Sequence, residues 1–290
     1  MTISLGGTYS ATTNAAIASY DSEVKLAYAG SAVLRNTVRL KSGVVGQQHF
    51  FQKMGQGVAI QHVSHELLTP ADHSHSKVAA VLTNWRIGDY TDLFDQAETT
   101  VDERADLARS NAMALGRAED QLIIDALDAA SSIAGTVDED LGGTNSLINA
   151  DKLRRAKRYL VAQQAAGGDH TFLINAAGLE GALSETEITS ADYQTMRALV
   201  DADLNNKKAF GFTFKVIEDR AEGGLPTGST NIRLCFAYDR QAIGHATGLE
   251  PRTMVDWIPE RVSWLSQGVL KAGSTVIDAK GVVEVQSYEG

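Results

Sequence analysis

Cysteine is almost missing, with one thiol, Cys235, in 290 residues. A lone cysteine rules out an internal disulfide and a cysteine-rich zinc site, so packing and association must hold the chain together. It sits in the strand-like run Ile232-Arg233-Leu234-Cys235-Phe236-Ala237-Tyr238, where a small buried hydrophobe is the expected role. Positive charge is also short, with 26 Lys and Arg against 36 Asp and Glu. The deficit is uneven: residues 1–100 hold 8 acids and 7 bases, residues 101–290 hold 28 acids and 19 bases. A net charge of -10 repels a phosphate backbone at long range, which argues against a conventional DNA-binding protein but allows a wall around DNA that does not stick to it. No apolar run approaches the roughly 18 residues of a membrane span. Residues 1–20 contain no Lys or Arg and no apolar stretch of signal-peptide length, so a cytoplasmically made chain with no membrane partner is expected.

Motifs that carry chemistry are equally scarce. There is no P-loop and no Gly-x-Ser-x-Gly elbow, and Gly55-Gln56-Gly57 lacks the third glycine and the helix of a dinucleotide loop. His62, His65, His73 and His75 crowd one region, but a metal site needs three or four of them to converge, and His65-Glu66-Leu67-Leu68-Thr69 misses the second histidine of the metalloprotease helix. Acids on the helix discussed next, such as Glu119 and Asp120, are expected to be solvated, since nothing in the sequence buries them. Lys152, Arg154, Arg155, Lys157 and Arg158 form the one basic cluster, with only Tyr159 nearby as an aromatic reader, and a solvated or subunit-facing helix surface is expected there. No catalytic, metal-binding or cofactor-binding residue is assigned.

What is present is a sequence of distinct segments. Residues 1–35 begin small and polar and read as an arm without a core of its own. From Asn36 to about Thr83 come β-type pieces, at Val38 and Leu40, Phe50-Phe51, Val58 and Ile60, and Val78 to Leu82, punctuated by Gly43, Gly46, Gly55, Gly57 and Pro70. Such a long hairpin cannot bury both faces against its own chain and needs a partner. Thr100-Val101-Asp102-Glu103 has capping-box spacing, and Val101, Ala105, Ala108, Ala112, Leu115, Ala118, Leu122, Ala126 and Ala129 recur at helical steps. The spacing predicts a helix over about 100–130, on the order of 45 Å long, whose small-residue face lets strands pack closely. Gly116 within it disfavours a helix by ~1 kcal/mol and implies a close approach. A Gly-, Thr- and Ser-rich loop over 131–149 marks a subdomain boundary. A helix from about Asp151 to Ala165 follows, capped by Asn149 or Asp151 and ended by Gly167-Gly168. Then come a strand at 171–175, helical stretches near 176–184 and 190–204, and strands near 210–218, 231–238, 252–257, 261–270 and 281–287.

Three groups of residues carry a family resemblance. Val38-Arg39-Leu40-Lys41-Ser42-Gly43-Val44-Val45-Gly46 with Phe51-Gln52-Lys53-Met54-Gly55-Gln56-Gly57-Val58-Ala59 resembles the opening of the extended loop in major capsid proteins of tailed bacteriophages. Leu93-Phe94-Asp95-Gln96-Ala97, through the helix to Gly116-Arg117-Ala118-Glu119-Asp120-Gln121-Leu122-Ile123-Ile124-Asp125-Ala126-Leu127, looks like the same family. So do Ala242-Ile243-Gly244-His245-Ala246-Thr247-Gly248 and Val255-Asp256-Trp257-Ile258-Pro259-Glu260-Arg261.

The resemblance implies an α+β chain of the Hong Kong 97-type capsid fold. Its expected parts are an N-terminal arm 1–35, an extended β loop 36–90, a peripheral domain 91–149 on the spine helix, an axial domain 150–240, and C-terminal strands 241–290 returning to the peripheral domain. It further implies a non-enzymatic major capsid protein that self-assembles into pentamers and hexamers around phage DNA. Assembly would take place in the bacterial host cytoplasm, with a scaffolding protein and a portal as partners and with no sequence-specific contact to the packaged double-stranded DNA. Because no long scaffolding segment precedes the arm, a separate scaffolding protein or a removed propeptide is expected. Lys41, Phe50, Phe51, Lys53, Trp85 and Arg86 are the candidate subunit contacts. Some family members cross-link a loop lysine to a neighbour's asparagine; Lys41 and Lys53 lie in the loop, but no partner asparagine can be placed, and no cross-link is predicted. The rival expectations are an encapsulin-like cellular shell around a cargo protein and a metal-dependent enzyme using the region from His62 to His75.

Overall fold

The computed structural model describes residues 32–62, 64–65, 67, 70, 72–94, 103–163, 165, 168–184, 208–229 and 231–290. The expected arm up to residue 31, the capping Thr100, Gly167 and the expected helix at 190–204 lie outside the described residues.

A four-stranded sheet is built from β1 (Arg39–Ser42), β4 (Thr83–Asp92), β10 (Ile243–Ile258) and β11 (Ser263–Val276) in the order β1-β10-β11-β4. The expected strands at 252–257 and 261–270 are parts of the two long ones. β10 runs through Pro251 because the strand breaks register there, between Leu249 and Arg252, and a proline without an N–H is tolerated where a ladder bond is already lost. A second sheet of six strands contains β5 (Gly135–Val137), β6 (His170–Ile174), β7 (Lys208–Ala209), β8 (Phe212–Val216), β9 (Ile232–Asp239) and β12 (Val282–Tyr288), in the order β5-β12-β9-β6-β8-β7. The expected strand over 210–218 is the shorter β8, which starts at Phe212 because Phe210 and Gly211 turn the chain from β7 at φ +52° and +78°. The final stretch 241–290 divides: β10 and β11 enter the four-stranded sheet, while β12 pairs β5 and β9 in the six-stranded one. Two further strands, β2 (Gln48–Met54) and β3 (His75–Val81), make an antiparallel hairpin by themselves. The expected strand at Val58 and Ile60 is absent; those residues lie in the loop joining β2 to β3. β4 was not foreseen, since the alternation of Trp85 and Ile87 is short and breaks off at Gly88 and Asp89.

The described part of the spine helix is α1, Glu103–Asp128, about 39 Å at ~1.5 Å per residue. Its small residues do what close packing requires. A Cβ on Gly116 would lie 3.1 Å from the Ala32 methyl, and a Cβ on Gly268 of β11 would lie 2.8 Å from Leu115 Cδ1. The helix bridges both sheets: Leu115 packs with Leu270 and Ala272 of the four-stranded sheet, while Ile123, Ile124 and Leu127 enter the main core with Phe172, Phe214, Tyr238 and Val283. α2 (Ala150–Ala162) is capped by Asn149, whose side chain accepts from Lys152 N, and it stops at Ala162, three residues before the expected end. α3 spans Ala176–Ser184 as expected.

Candidate assembly surface

The β2–β3 hairpin is asymmetric across its two faces, and alternation along the strands makes it so. Phe51 is 3% exposed and packs with Ala80, Leu82, Ala246 and Ile277. It fits because residue 244 of β10 is glycine: a Cβ there would sit 2.5 Å from the Phe51 ring. His49 stacks edge-on against Phe51 at 4.7 Å, and Lys53 on the same face pairs with Asp278 at 2.7 Å. The opposite face has no such cover. Phe50 is 47% exposed with the Lys77 ammonium 5.0 Å above its ring, and Met54 and Val81 are exposed beside it. Beyond the strands the connecting loop leaves Val58, Ile60 and Leu67 in solvent. So one face is seated on the chain's own sheet, and the other presents bare apolar surface.

Further exposed apolar residues lie on the four-stranded sheet. Trp85 stands opposite Leu270 on β4, the sheet's edge strand, is 42% exposed, and donates its Nε1–H to Thr83 Oγ1 at 2.8 Å. Ile87 shares its face. Arg86, on the other face opposite Val269, and Lys41 on β1 are both exposed. Of the six candidate contacts, Lys41, Phe50, Trp85 and Arg86 therefore face outward. Phe51 is buried by the chain's own β10 and β3, and Lys53 is paired within the chain with Asp278.

Both surfaces are held by a buried polar joint that sequence reasoning missed. Glu119 and Asp120 are not solvated, because the arm root and two sheets pack over that side of α1. The Asp120 carboxylate accepts from Val33 N at 2.9 Å, Leu34 N at 3.0 Å and Arg220 Nη1 at 3.1 Å. Burial pushes this carboxyl above the usual carboxylate range, although the two N–H donors and the guanidinium pull it down. Arg220 also pairs with Glu218 at 3.0 Å, and Arg117 with Glu222 at 3.0 Å. Glu119 holds the buried His245 ring at 2.9 Å and Arg35 at 3.4 Å, and Arg35 also pairs with Glu250. His245 reaches Ser274 Oγ at 2.8 Å on its other nitrogen. Thr37 closes the joint through Tyr238 Oη at 2.5 Å. The available signal was spacing: Gly116 and Asp120 are four residues apart, so whatever approaches the glycine also covers the acid.

The remaining expectations resolve individually. Cys235 is fully buried, and burial pushes its thiol up to about 12, far from a reactive thiolate. No three of the described histidines bring ring nitrogens together, so His62, His65, His73 and His75 do not converge; the one close group of potential ligands among the described residues is Asp138, Glu139 and Asp140. The basic cluster on α2 is divided, with Arg154 and Arg158 exposed as expected and Lys152 turned inward. Lys152 is buried with Nζ donating to Ser146 O at 2.6 Å and Gln286 O at 2.9 Å, Lys157 reaches His170 Nδ1 at 2.8 Å, and Arg154 pairs with Asp151. Helical periodicity turns Lys152 inward together with the buried Leu153, Ala156 and Leu160.

A family model described as phage capsid protein matches residues 12–289. No curated protein matches the chain. Among solved structures, the capsid of the cyanophage P-SCSP1u superposes with a TM-score of 0.73 at 12% identity, covering 93% of this chain and 92% of that one. The head of Helicobacter pylori bacteriophage KHP40 superposes at 0.72 with 8% identity over 92% and 95% of the two chains. The capsid of Ralstonia phage GP4 superposes at 0.70 with 12% identity over 100% and 98%.

Proposed function

From the premise that the chain belongs to the phage capsid protein family, has the Hong Kong 97-type fold and forms the head shell as a major capsid protein, we propose how it assembles and with what. Subunits join head to tail into pentamers and hexamers, since heterologous contacts close into rings when the rotation allows. The observation that carries this is the hairpin with one seated and one bare face: a neighbour covers Phe50, Met54 and Val81, which are exposed on an isolated chain. Lys41, Trp85 and Arg86 contribute from the sheet edge, while Phe51 and Lys53 act from inside by fixing the angle at which the hairpin leaves. Many modest contacts of this kind add by multivalency, which keeps each pair correctable during growth and the closed shell firm.

In this reading the chain catalyses nothing. It assembles in the bacterial host cytoplasm with a scaffolding protein and a portal, and it encloses double-stranded DNA without reading its sequence. The net charge of -10 supports a lining that does not adhere to phosphate. Deleting residues 43–80 leaves soluble monomers or small rings by size-exclusion light scattering; intact shells from that deletion contradict the proposal.

A further inference from the structure

The two edges of the six-stranded sheet carry opposite charge. At one edge, β5 runs directly into Asp138, Glu139 and Asp140, whose carboxylate oxygens lie within 4.8 Å of one another. Asp138 accepts from Asp140 N at 3.3 Å and Asp140 from Asn145 N at 2.9 Å, so the turn is shaped by its own acids. Asp138 and Asp140 are exposed; the buried Lys152 ammonium of the same chain lies within electrostatic reach of all three acids, and one cation against three carboxylates leaves the turn net negative. At the other edge, β7 and β8 border a cleft of about 260 Å³ whose lining includes Lys208, Lys215, Arg240, Thr171 and Thr213. The pairing Lys208 with Thr213 and Thr213 with Thr171 puts these groups on one face of adjacent strands. Lys208 and Arg240 stand on the cleft's exposed rim, and Asp169 is the one acid among its lining residues. Lys208 and Arg240 are exposed and make no ion pair among the described residues. Five strand spacings separate the two edges, about 24 Å at ~4.8 Å each.

We propose that the acidic turn Asp138–Asp140 of one subunit docks onto Lys208 and Arg240 at the rim of this cleft on the next copy, as a head-to-tail contact within the ring. Two exposed cations side by side take an oxyanion, and the carboxylates of a second copy are oxyanions presented at the opposite edge. Complementary patches on opposite edges generate a ring, whereas a patch that complements itself closes at a dimer. Charge complementarity of this type also speeds encounter and fixes register. The cleft stays open to solvent, so the contact weakens with salt. The inference rests on the shell reading and adds to it which edges meet within a ring.

Charge reversal in the full chain tests it, with rings and shells counted by negative-stain electron microscopy and light scattering. Lys208→Glu with Arg240→Glu, and separately Asp138→Lys with Asp140→Lys, each raise the protein concentration needed for assembly at least tenfold. All four changes together restore assembly. Because these side chains are exposed, melting temperatures close to wild type confirm that each variant is folded. Shells from either pair of changes at wild-type concentrations overturn the contact, and so does failure of the fourfold swap to rescue. Normal shells that only lose retained DNA assign the cleft to phosphate and likewise overturn it. Wild-type protein that forms neither rings nor shells counts instead against the shell reading itself.

Discussion

Asp120 and Arg220 have no exposed side-chain surface, and each is the other's partner at 3.1 Å. Removing one partner strands a charge in the core, so Arg220→Ala lowers stability by about 3–5 kcal/mol, measured by urea unfolding of the isolated subunit, whereas a surface pair is worth under about 1 kcal/mol. A change below 1 kcal/mol contradicts the buried joint. Lys152 makes the pH dependence specific. Burial lowers its ammonium from 10.5 to about 8 in the folded chain. Between those values the unfolded chain still holds the proton and the folded chain has released it, so this lysine adds stability as pH rises from about 8 to 10.5, and the contribution is lost as pH falls through 8. The wild-type unfolding midpoint minus that of Lys152→Met therefore grows over that interval. A flat difference shows that the amine is not buried in the fold. The Cys235 thiol, pushed up to about 12, acts in the opposite direction but is present in both chains and cancels.

Among elements, the hairpin is the informative one. Gly244→Val places a side chain where the Phe51 ring lies, so the hairpin loses its seat; the subunit still folds around its main core, but β2 and β3 become open to proteolysis and assembly fails. Unchanged protease resistance contradicts the anchoring role given to Phe51. Phe50→Ser with Met54→Ser on the bare face gives the complementary result, a subunit of near wild-type melting temperature that does not form shells. Periodicity located α1, α2, α3 and most strands, because burial on one side is written into residue spacing. It misplaced the faces of charged segments. Glu119 and Lys152 read as surface because their partners, His245 and Gln286, lie more than a hundred residues away, and a long-range partner leaves no local signal. It also missed β4, an edge strand whose order comes from its ladder with β11 rather than from its own composition. For the same reason Phe50 and Phe51 were indistinguishable until the register showed which one faces β10.

At the scale of the whole molecule, the two sheets are joined through α1, with Leu115 in one hydrophobic cluster and Ile123, Ile124 and Leu127 in the other. The arm root is tied to the same helix through Asp120. Load on the hairpin or the sheet edge therefore reaches the six-stranded unit through a packed helix rather than through a linker. The apolar face left bare on the hairpin implies that an isolated subunit is an incomplete state, completed by neighbours. The most direct measurement is negative-stain electron microscopy, paired with light scattering, of wild-type protein purified with and without the products of its neighbouring phage genes. Closed shells or five- and six-membered rings are the predicted result. A compact monomer that persists under every one of those conditions contradicts the account.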